Sequence, residues 1–312
     1  MSAAYDGYDP DTQVPDLSGR VILLTGGTSG VGLEAVLQLA KHNPGHLFFT
    51  GRNQASASAV IAKCPPGARV TFLACDFTSL ASVRDAAARF EAQAGGRLDV
   101  FVANAGIMAV PAGLTQDGVE VQFGVNHLGN AALLLRLLPL MLRTKERHPD
   151  ADVRYVALTS LGYRGHPANG IDFATLHTEQ THLPLGSWSR YGQAKYANVV
   201  FAQELHRRHP QILSVAVHPG VVRTELVTRL PFWKRMLVNV TNPRGLMEPA
   251  QGACNTLWAA TAPDVAGKLE GGTQVALFEP VGRVHAGDKA CFDEKIAKEL
   301  WEWTEEKVGL KV

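Results

Sequence analysis

The chain has few cysteines, and they are scattered. Cys64, Cys75, Cys254 and Cys291 form no CxxC pair in 312 residues. That argues against a zinc site or a disulfide framework, and for buried free thiols in a reducing compartment. Net charge is also lacking: 30 Lys and Arg stand against 29 Asp and Glu, for +1. Nothing in that balance attracts nucleic acid or an anionic membrane. The 11 histidines show no HxxEH motif, and the one HxxxH spacing, His42 to His46, spans Asn-Pro-Gly rather than a helical turn, so no metal site is expected. No apolar run reaches the roughly 18–20 residues of a membrane span. The longest, "AALLLRLLPLML", holds Arg136 and Pro139 and reads as a buried helix. The opening "MSAAYDGYDPDTQVPDLS" lacks the basic and apolar regions of a secretory signal. What remains is a soluble protein, expected in the cytoplasm.

The apolar residues are organised. Strand-like runs at 20–25, 46–50, 69–75, 98–106, 152–160, 212–220 and 273–279 alternate with helical patterns at 31–42, 79–93, 117–143 and 189–208. The runs are near-continuously apolar, as strands buried on both faces of a parallel sheet must be. The expected fold is α/β: a single-domain, Rossmann-type, doubly wound parallel sheet of seven strands with helices on both faces. Residues 1–18 read as a polar N-terminal extension, and 19–312 as the domain.

The first strand runs into "TGGTSGVGLEAVLQLA", which spaces its glycines as GxxxGxG. Glycines let backbone turn tightly and approach a pyrophosphate, whose charge then meets a helix N-terminus. A Gly-rich strand-to-helix turn without a ligand is the plainer alternative. The second strand ends in "FFTGRN", and no acid occurs between His46 and Arg69. An acid near this point holds a ribose 2′-OH, whereas an arginine accommodates a 2′-phosphate. Arg52 therefore favours NADP(H) over NAD(H), unless it is simply an exposed arginine.

With these motifs the sequence resembles the short-chain dehydrogenase/reductase family. The resemblance rests on "TGGTSGVG", "CDFTS", "ANAG", "VNHLGN", "VALTS", "YGQAK" and "HPGVVRTEL", in that order. "NHLG", "HPGVVRTEL" and "ELWEWTEEKVG" point to the retinol-dehydrogenase-like and protochlorophyllide-reductase-like branch. The resemblance implies that Thr25, Gly26, Thr28, Ser29, Gly30, Val31 and Gly32 form the phosphate turn. Asp76 would bind the adenine, with Phe77 lining its ring, and Asn104, Ala105 and Gly106 would border the adenosine ribose. Lys195, beside Tyr191, would hold the nicotinamide ribose. Pro219, Gly220, Val222 and Thr224 would wrap the nicotinamide. Two positions depart from the family pattern: Ala103 replaces the usual Asn, and Thr159 the usual Ser before Ser160.

The implied chemistry is hydride transfer between a nicotinamide and a carbonyl or alcohol. Tyr191 and Lys195 are four residues apart, one turn of a helix. A nearby ammonium and an oxidised nicotinamide would lower the phenol pKa from about 10 and suit Tyr191 to general acid–base work. Ser160, at a strand end, would steady the developing oxyanion. Asn126 would position a water linking Lys195 to solvent. Ser160 as a plain strand end, Asn126 as a core amide and Tyr191–Lys195 as a surface pair are the bland readings. His127 and His218 read as structural.

Ser160 and Tyr191 are 31 residues apart, longer than the family's usual separation. The insert 162–190, with Trp188, is expected to wall the entrance. Segment 225–248 carries Phe232 and Trp233 among basic residues. It reads as a lid over a lipophilic substrate, with an interfacial helix giving peripheral membrane contact as the alternative. Both imply a hydrophobic carbonyl or alcohol substrate. The chain is expected to be a monomer or homodimer. A non-enzymatic dinucleotide-binding regulator of the same fold, and a sugar epimerase or dehydratase, are the competing functions.

Overall fold

The computed structural model describes residues 4–224, 227, 236, 245–269 and 277–312. Seven parallel strands and one antiparallel strand form a sheet in the order β3-β2-β1-β4-β5-β6-β7-β8. They are β1 Val21–Leu24, β2 His46–Gly51, β3 Val70–Ala74, β4 Val100–Ala103, β5 Arg154–Leu158, β6 Leu213–Val217, β7 Leu277–Glu279 and β8 Arg283–His285. Residues 273–276, read as the start of the seventh strand, lie outside the described residues. The eighth strand corrects the expected seven. "RVH" is three residues long, with two of them exposed, so it leaves no apolar run to read.

Alternation along the strands explains the two cores. Leu23, Phe48, Phe101 and Ala157 point to one face. There they meet α3 Leu80–Gln93, α4 Val121–Arg147, α5 Ser187–Arg208 and α7 Glu294–Val308. Ile22, Leu24, Phe49, Val102 and Val156 point to the other. That face carries α1 Gly30–Lys41, α2 Gln54–Ile61 and α6 Pro249–Thr261. The long apolar helix is α4, and its apolar window is 83% buried, so it is a core helix as read. It starts at Val121 rather than 117 and contains a π turn, Gly124–Leu128. Helices α2, α6 and α7 were not read from the sequence. Asn53 caps α2 by accepting from Ser56 N at 2.9 Å. Trp301 of α7 stacks on Phe201 of α5, ring centroids 4.9 Å apart.

The chain runs outward from β1 to β2 and β3, then returns to β4 on the other side of β1. The crevice at such a reversal, outside the carboxyl ends of the strands, is where open α/β sheets bind ligands. Residues 4–18 pack on the domain. Tyr8, Val14 and Leu17 are buried in the second core, and Leu17 N donates to His42 O at 2.8 Å.

Candidate active site

The turn after β1 is held open by glycine backbone. Gly26 and Gly30 have φ of +70° and +56°, the left-handed region. A Cβ on Gly32 would fall 2.2 Å from Gly26 O and 2.4 Å from Asn104 Nδ2, so no larger residue fits. Ser29 precedes α1 without a side-chain cap bond, which leaves the first-turn N–H groups to a ligand. This cradle fits the pyrophosphate of a dinucleotide. Val31 is buried in the first turn of α1. Thr28 packs against Gly51, whose Cβ would stand 2.6 Å from Thr28 Cγ2. That places the exposed Arg52, the next residue along, beside the turn.

A buried network fixes the turn to β4. Thr25 Oγ1 donates to Asn130 Oδ1 (2.7 Å) and accepts from Asn104 N (2.9 Å) and Ala105 N (2.8 Å). Asn104 Nδ2 donates to Thr25 O at 2.7 Å. Asn130 Nδ2 donates to Ala105 O at 3.0 Å. Asn130 was missed in the sequence. Its signal was an amide one turn after Asn126, at the start of the apolar run 131–135. Asp76 Oδ1 accepts from Thr78 N and Oγ1, both at 2.9 Å. Phe77 is buried, and its ring packs against Gly129 of α4.

The four expected catalytic residues converge at the ends of β4 and β5. Ser160 follows β5, and its Oγ accepts from Gly162 N at 3.1 Å. Tyr191 and Lys195 project from α5; the Tyr191 hydroxyl hydrogen-bonds Ser160, and Lys195 Nζ lies 5.8 Å from the Tyr191 ring centroid. Lys195 Nζ donates to Leu158 O at 3.0 Å. Thr159, the departure from the family's serine, donates its Oγ1 to Lys195 O at 2.7 Å and ties α5 to β5. Asn126 sits in the π turn, a distortion that recurs at functional sites. Both ends of its amide are taken by Ile107: N donates to Oδ1 at 2.6 Å and O accepts from Nδ2 at 2.9 Å. Its carbonyl accepts from Asn198 Nδ2 at 3.2 Å, and the same Nδ2 donates to Leu158 O at 3.0 Å. Asn198, unrecognised in the sequence, thus links the π turn to the carbonyl that Lys195 uses. Gly106 admits this crowding: its Cβ would stand 3.1 Å from Asn126 Oδ1 and 3.5 Å from Lys195 Nζ.

The electrostatics correct one expectation. Lys195 does not lower the Tyr191 pKa in the chain alone. Burial pushes the phenol up to about 12, opposed by its hydrogen bond to Ser160. Burial also pushes the Lys195 ammonium down to about 8. Each side chain lacks the water that would stabilise its charged form, and at this spacing desolvation outweighs attraction.

After β6, Pro219 and Gly220 turn the chain. Val222 pairs with Met247, which brings residues 222 and 247 together beside the crevice. Thr224 Cγ2 lies 3.0 Å from where a Gly30 Cβ would stand, which brings this motif onto the phosphate turn. Phe232 and Trp233, and with them the expected lid, lie outside the described residues. Trp188 is half-buried near the start of α5. The insert is folded rather than loose: Asp172 N donates to Gln193 Oε1 (2.8 Å), and Gln193 Nε2 to Gln180 Oε1 (2.9 Å). His127 is a core group between Asn198 and Thr304. His218 is pushed down to about 4 by burial, then by the charges of His285 and Lys195, and is therefore neutral.

Comparison with known proteins agrees with this geometry. The family model described as short chain dehydrogenase matches residues 20–148. An uncharacterized oxidoreductase of Schizosaccharomyces pombe is 34% identical, over 93% of this chain and 85% of its own. Mouse polyprenol dehydrogenase is 32% identical, over 92% of this chain and 83% of its own. The crystal structure of an uncharacterized protein from Mycobacterium paratuberculosis superposes with a TM-score of 0.71 at 27% identity, covering 96% of this chain and 97% of that one. The chain belongs to the short-chain dehydrogenase/reductase family.

Proposed function

We propose that this protein is an NADP(H)-dependent reductase of uncharged, hydrophobic ketones or aldehydes. The observation that carries the reading is the Ser160–Tyr191–Lys195 set beside a glycine cradle for a dinucleotide. A bound nicotinamide dinucleotide supplies the hydride. Tyr191 gives its proton to the carbonyl oxygen. A phenol at about 12 stays protonated at neutral pH, with roughly one molecule in 10⁵ ionised at pH 7. An alkoxide, about as basic as hydroxide, takes that proton downhill. Oxidation runs the same step in reverse, with the phenolate as the base, a form that a bound oxidised nicotinamide favours. Ser160 donates a hydrogen bond to the developing oxyanion. Lys195 stays largely cationic at neutral pH and holds the nicotinamide ribose. Arg52, with no acid between residues 46 and 69, supports the phosphorylated cofactor. A relative named for a polyprenol supports an apolar substrate. A cytoplasmic location goes with four cysteines that form no disulfide.

The test is NADPH consumption across a panel of aliphatic, alicyclic and aromatic carbonyls, repeated with NADH. Turnover of apolar members with NADPH at least tenfold above NADH is expected. Tight NADPH binding with no turnover of any member would favour a dinucleotide-binding regulator.

A further inference from the structure

A small cavity of about 170 Å³ adjoins the catalytic crevice. Leu161, the residue after Ser160, lines it, as do His218 and Gly220 at the end of β6 and Met247 on the returning chain. Part of its wall comes from an unexpected place, the N-terminal segment: Tyr5 faces the cavity beside Glu279, Pro280 and Arg283. At less than the 300 Å³ low end of whole-ligand pockets, it is a subsite rather than a complete one.

Tyr5 is held there by several independent contacts. Tyr5 N donates to Tyr8 O at 2.8 Å, and Tyr8 N to Tyr5 O at 3.0 Å. Between them Asp6 and Gly7 have φ of +53° and +78°, both positive as a tight two-residue hairpin turn requires. Asp6 Oδ2 lies 3.5 Å from Arg283 Nη1 on β8, and Arg283 lines the same cavity. Behind the hairpin, Tyr8 is buried in the sheet's second core. Asp9 then caps a one-turn helix, Pro10–Gln13, and Lys41 of α1 pairs with Asp11 at 2.8 Å.

We propose that the Tyr5–Tyr8 hairpin is a fixed wall of the substrate site, and that Tyr5 is a specificity-determining residue. The inference rests on the carbonyl-reductase reading. The charged groups of the cavity are already committed, Arg283 to Asp6 and Glu279 to His285 Nδ1 at 2.7 Å. What is left for a ligand is the Tyr5 ring, Leu161, Met247, Pro280 and the neutral His218. Such a lining favours an uncharged apolar group over a carboxylate or phosphate, because Arg283, the one Lys or Arg among the described lining residues, already faces Asp6. The volume equals that of roughly six waters, about one ring. The substrate class is therefore a ketone or aldehyde carrying a single apolar ring close to its carbonyl, packed against the Tyr5 ring.

The experiment compares wild type, Tyr5→Ala and Asp6→Ala on matched ketones, one with a ring beside the carbonyl and one with only a short alkyl chain. Both kcat/KM and calorimetric Kd are measured. The ring-to-chain preference falls about tenfold in Tyr5→Ala and partly in Asp6→Ala, which only unties the hairpin and tests the wall without deleting it. An unchanged preference in both variants overturns the proposal. If the wild type turns nothing over, the Kd ratio decides. A ratio that falls in the variants keeps the wall and rejects the reductase reading, and a ratio that does not fall rejects the wall.

Discussion

Replacing Lys195 with Met should stabilise the nucleotide-free protein at neutral pH while removing its activity. Burial lowers the ammonium pKa from 10.5 to about 8, so the folded state holds this charge at a penalty. At about 1.4 kcal/mol per pKa unit, the penalty is about 3 kcal/mol below pH 8. Methionine removes it but also loses the bond from Nζ to Leu158 O, worth about 1 kcal/mol. Leu158 O keeps its bond from Asn198 Nδ2 at 3.0 Å, so no orphaned acceptor adds to the cost. The expected net gain at pH 7 is about 2 kcal/mol. Between pH 8 and 10.5 the unfolded chain binds more protons at this lysine than the folded one does. Wild-type stability therefore rises through that window relative to the variant, and by about pH 10 the gain has fallen to near zero. Urea unfolding of both proteins at pH 7 and pH 10 measures the difference, and groups common to both cancel. A variant less stable than wild type at pH 7, or a difference that does not change with pH, would refute the reasoning.

Other substitutions separate the roles of neighbouring residues. Arg52→Ala should weaken NADPH binding at least tenfold and leave NADH within about threefold, measured by fluorescence titration; equal losses for both cofactors would remove Arg52 from the 2′-phosphate. Ser160→Ala should lower kcat by about 10² to 10³ with little change in cofactor affinity, as loss of one oxyanion donor does. Asn130→Ala leaves Thr25 Oγ1 without its acceptor and Ala105 O without its donor, so denaturant unfolding should show a loss of about 2–3 kcal/mol, with weaker dinucleotide binding.

The parts of the site legible in the sequence were those with a local reason. Glycine at 26, 30 and 32 answers to backbone geometry, and a Tyr–Lys pair four residues apart answers to one helical turn. Six of the seven expected strands sat within longer apolar runs, and all of these but the edge strand β3 are largely buried on both faces of the sheet. What stayed illegible depends on contacts across the fold. Asn130 and Asn198 look like ordinary helix amides until β1, β4 and β5 are placed beside them. The direction of the Tyr191 shift depends on how deeply the α5 pair is buried, which no spacing reveals. The polar N-terminal residues look like an appendage because few of them, Tyr8, Pro10, Val14 and Leu17 among the described residues, are buried. Tyr5 reaches the crevice through its hairpin to Tyr8, the burial of Tyr8 in the second core and the approach of Asp6 to Arg283 of β8. Helix α2 has little apolar periodicity and is fixed by its Asn53 cap.

The central claim is that Tyr191 delivers the proton. Its most direct test is Tyr191→Phe, which keeps the ring and removes only the hydroxyl that bonds Ser160. NADPH affinity and single-turnover reduction of the best carbonyl from the panel are measured side by side. The account predicts NADPH binding within about threefold of wild type and reduction slowed by about 10³ or more. Reduction at the wild-type rate in the phenylalanine variant would contradict it.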